Sequence, residues 1–117
     1  NTPMSFIEQK FTIPPLKGIS PKNIEEHLKL YAGYVKHANL ILEEIKKGTA
    51  GDYALAEMQR RFSFEFNGMV NHEYYFESFL GGAKPSAEAD ALRAALAREW
   101  GSFDVWLARF KVVAATR

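Results

Sequence analysis

The chain has 117 residues, and its 15 lysines and arginines against 14 aspartates and glutamates leave a formal charge of +1 with the three histidines neutral. A quarter of the residues are charged and 47% are hydrophobic, so about one domain with a real core is expected, and the even balance gives no electrostatic reason for nucleic acid or an anionic membrane as partner. Cysteine is absent, which excludes disulfides, thiolate metal sites, iron–sulfur clusters and thiol nucleophiles together; with no signal-like segment and no apolar run near the roughly 18 residues of a membrane span, a cytoplasmic protein is the expectation.

Asn1-Thr2-Pro3 ahead of Met4 read as a remnant outside the native start. Residues 5 to 19 hold Pro14-Pro15 and Gly18 with little apolar periodicity, which predicts an extended arm laid over the surface. Ser20 then offers an N-cap, Pro21 suits the first helical position, and Ile19 with Ile24 has the spacing of a hydrophobic staple. Ile24, Leu28, Tyr31, Val35, Ala38, Leu42 and Ile45 follow at alternating four- and three-residue steps, a coiled-coil-like seam. Lys46 and Lys47 suit the negative end of that helix, and Gly48 suits a left-handed cap. The following turn, Gly48 to Gly51, is short enough to force an antiparallel return.

Asp52 is the expected cap of a second helix, with a seam of Leu55, Met58, Phe62, Met69, His72, Phe76 and Phe79 and an end at Gly81-Gly82. The two long helices are therefore expected over about 21 to 47 and 52 to 80. Gly68 lies inside the second and costs about 1 kcal/mol relative to alanine, which suggests a close approach of backbone or ligand there. After Pro85, Ser86 is the expected cap of a third helix with Ala91, Leu92, Ala95, Leu96 and Trp100 on its apolar face. Gly101 closes it, and Ser102 starts a fourth with Phe103, Trp106, Leu107, Phe110 and Val113 inward. No strand pattern is evident, so the fold class is all-α: a long antiparallel hairpin and two shorter helices, with domains at 4–82 and 83–117.

The chemistry centres on FEFNGMVNHEYYFESF, residues 64 to 79, where His72 falls within the apolar stripe. His27 flanks the other seam, and His27, Tyr31 and Tyr34 share one strip of the first helix. Antiparallel pairing brings His27, near the start of one helix, and His72, near the end of the other, to the same end of the hairpin. Two neutral imidazoles can bind iron, manganese, zinc or copper, but two ligands do not complete a site. A packed core histidine is the plainer alternative for each. A di-iron bundle is excluded, because neither histidine has a glutamate three residues before it: Met69 and Ile24 stand there. His37 reads as a surface residue, Tyr74, Tyr75 and Phe76 as core aromatics, and Lys46-Lys47 and Arg60-Arg61 as solvated faces. No nucleophile elbow or phosphate-binding glycine loop is present.

Taken together, Ile24-Glu25-Glu26-His27, Tyr34-Val35, Asn39, and Phe64 followed by Asn67-Gly68-Met69-Val70-Asn71-His72-Glu73-Tyr74-Tyr75-Phe76 resemble the iron/manganese superoxide dismutases. Trp100-Gly101-Ser102-Phe103 is similar to that family's helix junction, and Pro14-Pro15-Leu16 to its proline-containing arm. The resemblance implies a dismutase of superoxide with a mononuclear manganese or iron ion, His27 and His72 as the first two metal ligands, and a homodimer or higher oligomer. It makes Tyr34 the candidate outer-sphere tyrosine, although an ungapped count from His27 puts Val35 there. Tyr31 falls at the family's gateway histidine and Tyr75 at an aromatic beside the metal. Gly68, where iron-type enzymes usually have glutamine, points to manganese or to a site taking either metal. The resemblance also implies that 83–117 is the truncated start of an α/β domain whose aspartate and last histidine would follow Arg117. A noncatalytic dismutase-like scaffold and a helical interaction module are the alternatives.

Overall fold

A computed structural model describes residues 5–82 and 89–117, and among them there are four α-helices and no strand. The helices are α1 (Pro21–Lys47), α2 (Asp52–Glu77), α3 (Asp90–Trp100) and α4 (Phe103–Ala114). The chain divides into two compact units, residues 1–83 and 84–117.

In the first unit α1 begins as its sequence dictates. The Ser20 hydroxyl accepts from the Asn23 amide at 3.1 Å, Pro21 occupies the first turn, and Gly48 closes the helix at φ 68°, returning its amide to the Ile45 carbonyl. Such an N-cap is worth about 1 kcal/mol. The second helix differs at both ends from expectation. Gly51 is its N-cap and makes no side-chain bond, while Asp52 is its first residue and acts through its charge at the positive helix end. Its regular part stops at Glu77, three residues before the expected limit. There the Ser78 hydroxyl donates to the Tyr75 carbonyl at 2.6 Å, and the chain tightens into successive turns through Gly82.

The core of the hairpin is Tyr31 and Val35 of α1 with Met69 and Phe76 of α2. Ile24, Ala38 and Ile41 are buried along α1 as well. At the turn end the seam is open, with Leu55 exposed and Leu42 only half-buried. The reason is the arm. Phe11 and Ile13 pack onto the core toward the opposite end, with Phe11 5.2 Å from Phe76 and 5.9 Å from Tyr31 between ring centres, while Phe6 packs farther along the hairpin against Phe62 and Phe66 at 6.4 and 5.6 Å. Two helices alone leave half of each stripe in water, and the arm supplies the third surface. Asn39 fixes its register: its carbonyl oxygen accepts from the Phe6 amide at 2.7 Å and its amide donates to the Phe6 carbonyl at 2.8 Å.

In the second unit α3 and α4 pack against each other. Ser102 caps α4 by accepting from the Val105 amide at 3.1 Å. The start of α3 expected at Ser86 lies outside the described residues. The expected apolar faces form but bury no residue: Leu92, Phe110 and Val113 are each more than half exposed. Aromatic stacking links Trp106 to Phe103 and Phe110 at 5.4 and 5.2 Å, and the Arg93 guanidinium lies 4.0 Å from the Phe103 ring centre.

Candidate metal centre

His72 is held by its own helix. Its Nδ1 lies 2.7 Å from the Gly68 carbonyl, one turn back. A carbonyl only accepts, so Nδ1 carries the hydrogen, and in the neutral ring the lone pair falls on Nε2. That is the arrangement in which histidine binds metals, with the far nitrogen fixed by a backbone acceptor.

His27 stands across the hairpin with its ring centre 5.7 Å from that of His72. The two imidazoles, Asn71 and Tyr75 line one open depression of about 260 Å³. Tyr75 sits 5.3 Å from the His27 ring. His27 Nδ1 is buried and makes no hydrogen bond among the described residues. An unpartnered buried nitrogen costs about 1–3 kcal/mol, so the ring is poised for a partner that the described side chains do not supply. Imidazole nitrogens suit a divalent manganese or iron ion in donor type, and these two rings line one depression. Among the described residues no group of three or more His, Cys, Asp or Glu side chains comes together to hold an ion.

Tyr34 and Val35 separate clearly. Val35 is a core residue, whereas the Tyr34 ring lies 5.3 Å from His72 and 5.8 Å from Phe64. Gly68 is the close approach its position suggested: a Cβ built there would meet Tyr34 ring carbons at 2.5 Å. Tyr34 also lines a separate depression with His37, Arg61, Phe64 and Glu65.

Tyr31 points into the core and is fully buried. Its hydroxyl donates to Glu73 Oε2 at 2.8 Å and accepts from the Gln9 amide at 3.0 Å, tying arm, α1 and α2 at one atom. Burial, with the Glu73 carboxylate adding to it, pushes the phenol up to about 12. Tyr74, expected in the core with Tyr75 and Phe76, is instead 67% exposed, because its place on the helix turns it away from α1.

Glu65 is the residue the sequence reading passed over. It occupies the seam between Phe62 and Met69, where alternating steps demand an inward side chain, and it is buried. Arg61 Nε donates to its Oε1 at 3.1 Å, and His37 Nδ1 stands 3.9 Å from Oε2. Arg61 is therefore more than a solvated charge, while His37 is exposed as expected. The gap in the apolar seam was the signal that could have found the carboxylate.

An iron superoxide dismutase of Cupriavidus metallidurans is 35% identical to this chain over 81% of its residues and 49% of the relative. A manganese superoxide dismutase of Mycobacterium celatum is also 35% identical, covering 77% of this chain and 66% of the relative. A manganese/iron superoxide dismutase of Aeropyrum pernix is 28% identical over 92% of this chain and 56% of its own length. No family model matches, and no solved structure matches. A helical hairpin that brings two imidazoles together, with these relatives, defines the class: the chain belongs to the iron/manganese superoxide dismutase family. It spans about half the length of most of the curated relatives it matches.

Proposed function

We propose that these residues form the helical side of a superoxide dismutase site, with His27 and His72 as two ligands of a manganese or iron ion and Tyr34 as the neighbouring tyrosine. The observation that carries this reading is the convergence of the two imidazoles on one depression, with the His72 Nδ1 hydrogen held by Gly68. When bound, manganese or iron supplies the one-electron chemistry by which one superoxide is oxidised to dioxygen and a second is reduced to hydrogen peroxide. His72 has its Nδ1 engaged by the Gly68 carbonyl, which leaves Nε2 as the nitrogen to meet the ion without a ring flip. His27 lines the same depression, and its buried Nδ1 has no hydrogen-bond partner among the described residues. Tyr34 packs its ring against His72, and in this reading its phenol is the proton donor for the reduced oxygen species.

Two nitrogens leave most of the coordination shell to other groups, which we assign to a segment that the longer relatives have and these 117 residues do not contain. A homodimer or higher oligomer of that complete protein is part of the same reading. A noncatalytic scaffold is the second reading, favoured by the lack of a third donor among the described residues. The test is steady-state dismutation with metal analysis, on the 117-residue chain and on the same chain joined to a dismutase C-terminal half. Negligible turnover and weak metal retention are expected from the first, and turnover with about one metal per chain from the second. A joined protein that retains metal only at non-histidine groups, and keeps its activity when His72 becomes leucine, would refute the ligand assignment.

A further inference from the structure

Gly68 and Tyr34 belong to different helices, yet one fills the space the other leaves. A side chain at residue 68 would begin with a Cβ 2.5 Å from Tyr34 Cδ1 and Cε1 and 2.7 Å from Cζ. Carbon atoms in van der Waals contact stand at about 3.5–4.0 Å, so the two cannot coexist without movement. The atoms in conflict are the rigid body of a ring and not the end of a flexible chain. The ring is held by its packing against Phe64 and His72, 5.8 and 5.3 Å between ring centres, so moving it disturbs both contacts. The Gly68 carbonyl is meanwhile the acceptor that fixes the His72 tautomer. One residue thus offers a carbonyl to the imidazole and an empty Cβ position to the tyrosine that lies against the same imidazole.

We propose that Tyr34 and Gly68 are a matched pair of positioning residues for His72, in which the tyrosine ring, entering from α1, takes the place of a residue-68 side chain and holds the imidazole with Nε2 free. The ring performs this task and the hydroxyl does not. The value of holding Nε2 rests on the metal reading above; the pairing itself does not. Substitution at either position releases His72, and substitution at both removes the steric conflict without restoring the hold.

The experiment uses the 117-residue chain with Tyr34→Phe, Tyr34→Ala, Gly68→Ala and the double alanine variant. Thermal unfolding measures the coupling, nitrogen-15 shifts of the His72 ring report its tautomer, and titration of the same variants, joined to a dismutase C-terminal half, with manganese alone reports the site. Gly68→Ala should lower the midpoint by about 5–15 °C, the scale of overpacking a core in a domain of this size. In the Tyr34→Ala background the same change should cost little. The Nδ1–H tautomer should dominate in the parent chain and in Tyr34→Phe, and become mixed in Tyr34→Ala and Gly68→Ala. Manganese affinity should fall roughly tenfold with it. Additive midpoints, or an unchanged His72 tautomer in Tyr34→Ala, would overturn the pairing. Should Gly68→Ala fail to fold, Tyr34→Phe against Tyr34→Ala still decides the case through the tautomer. A chain joined to a dismutase C-terminal half that takes up no manganese, while coupling and tautomers behave as described, keeps the pairing and removes the metal reading; uptake with additive midpoints does the reverse.

Discussion

The hairpin and the pair α3–α4 carry similar sequence patterns and reach different outcomes. Both have apolar residues at helical spacing, both have a serine cap confirmed by a hydrogen bond, and both have glycine at a helix end. Only the hairpin buries a core, from Ile24 to Ile41 on one helix and from Glu65 to Phe76 on the other. In α3 and α4 no residue is buried. The difference is a third surface. Phe6, Phe11 and Ile13 close the hairpin's groove, and nothing within 89–117 does the same for Leu92, Phe110 or Val113. An amphipathic stripe states that a face is apolar; whether it becomes a core depends on how many faces meet there.

The sharpest way to break that comparison is to truncate one large aromatic in each region. Phe76→Ala should cost about 3–5 kcal/mol, because a fully buried ring leaves a cavity among Phe11, Tyr31 and Tyr75. Phe110→Ala, at a half-exposed site, should cost about 1 kcal/mol or less. Denaturant unfolding of the two variants checks both, and equal losses would mean that the second unit has a core of its own.

A smaller effect tests the point where arm, α1 and α2 meet. Tyr31→Phe keeps the ring but removes the bonds to Glu73 and Gln9, and should cost about 1–2 kcal/mol. It should also alter the alkaline limb. The folded phenol titrates at about 12 and an unfolded tyrosine near 10, so the folded state holds the proton more tightly. That contribution is complete below about pH 10 and is lost as pH rises toward about 12, where the unfolded state has already ionised. In Tyr31→Phe this part of the decline should vanish, as unfolding free energies measured at pH 8, 10 and 11.5 would reveal.

The smallest expected effect compares the two caps. Ser20→Ala and Ser102→Ala each remove one acceptor for a helix amide, worth about 1 kcal/mol. In α1 the loss should register in global stability, since that helix carries the core. In α4 it should register mainly as fraying of residues 103–106, seen as faster amide exchange with little change in the unfolding midpoint. A global loss of similar size from both would erase the distinction between the regions.

Local rules sufficed where one residue's geometry decides the outcome. Ser20, Pro21 and Gly48 bound α1, Ser102 starts α4, and the short turn at 48–51 makes the hairpin antiparallel, which alone places His27 and His72 at the same end. Heptad arithmetic gave most of the core and marked Gly68 as a close approach. The same arithmetic, carried through its one gap, would have found Glu65. Tertiary structure alone decided the remainder. Tyr74 and Tyr75 are neighbours in sequence, yet one faces solvent and the other His27, because about 100° of helical rotation separates them and only one direction meets α1. Choosing Tyr34 over Val35 as His72's neighbour needed the register between the helices, which no spacing within α1 contains. The arm was the least legible part, since its attachments are Asn39 and Tyr31, 33 and 22 residues away from the amides they bind. Spacing along one helix is fixed by 3.6 residues per turn, whereas the pairing of distant segments is set by which surfaces remain to be covered once the helices have met.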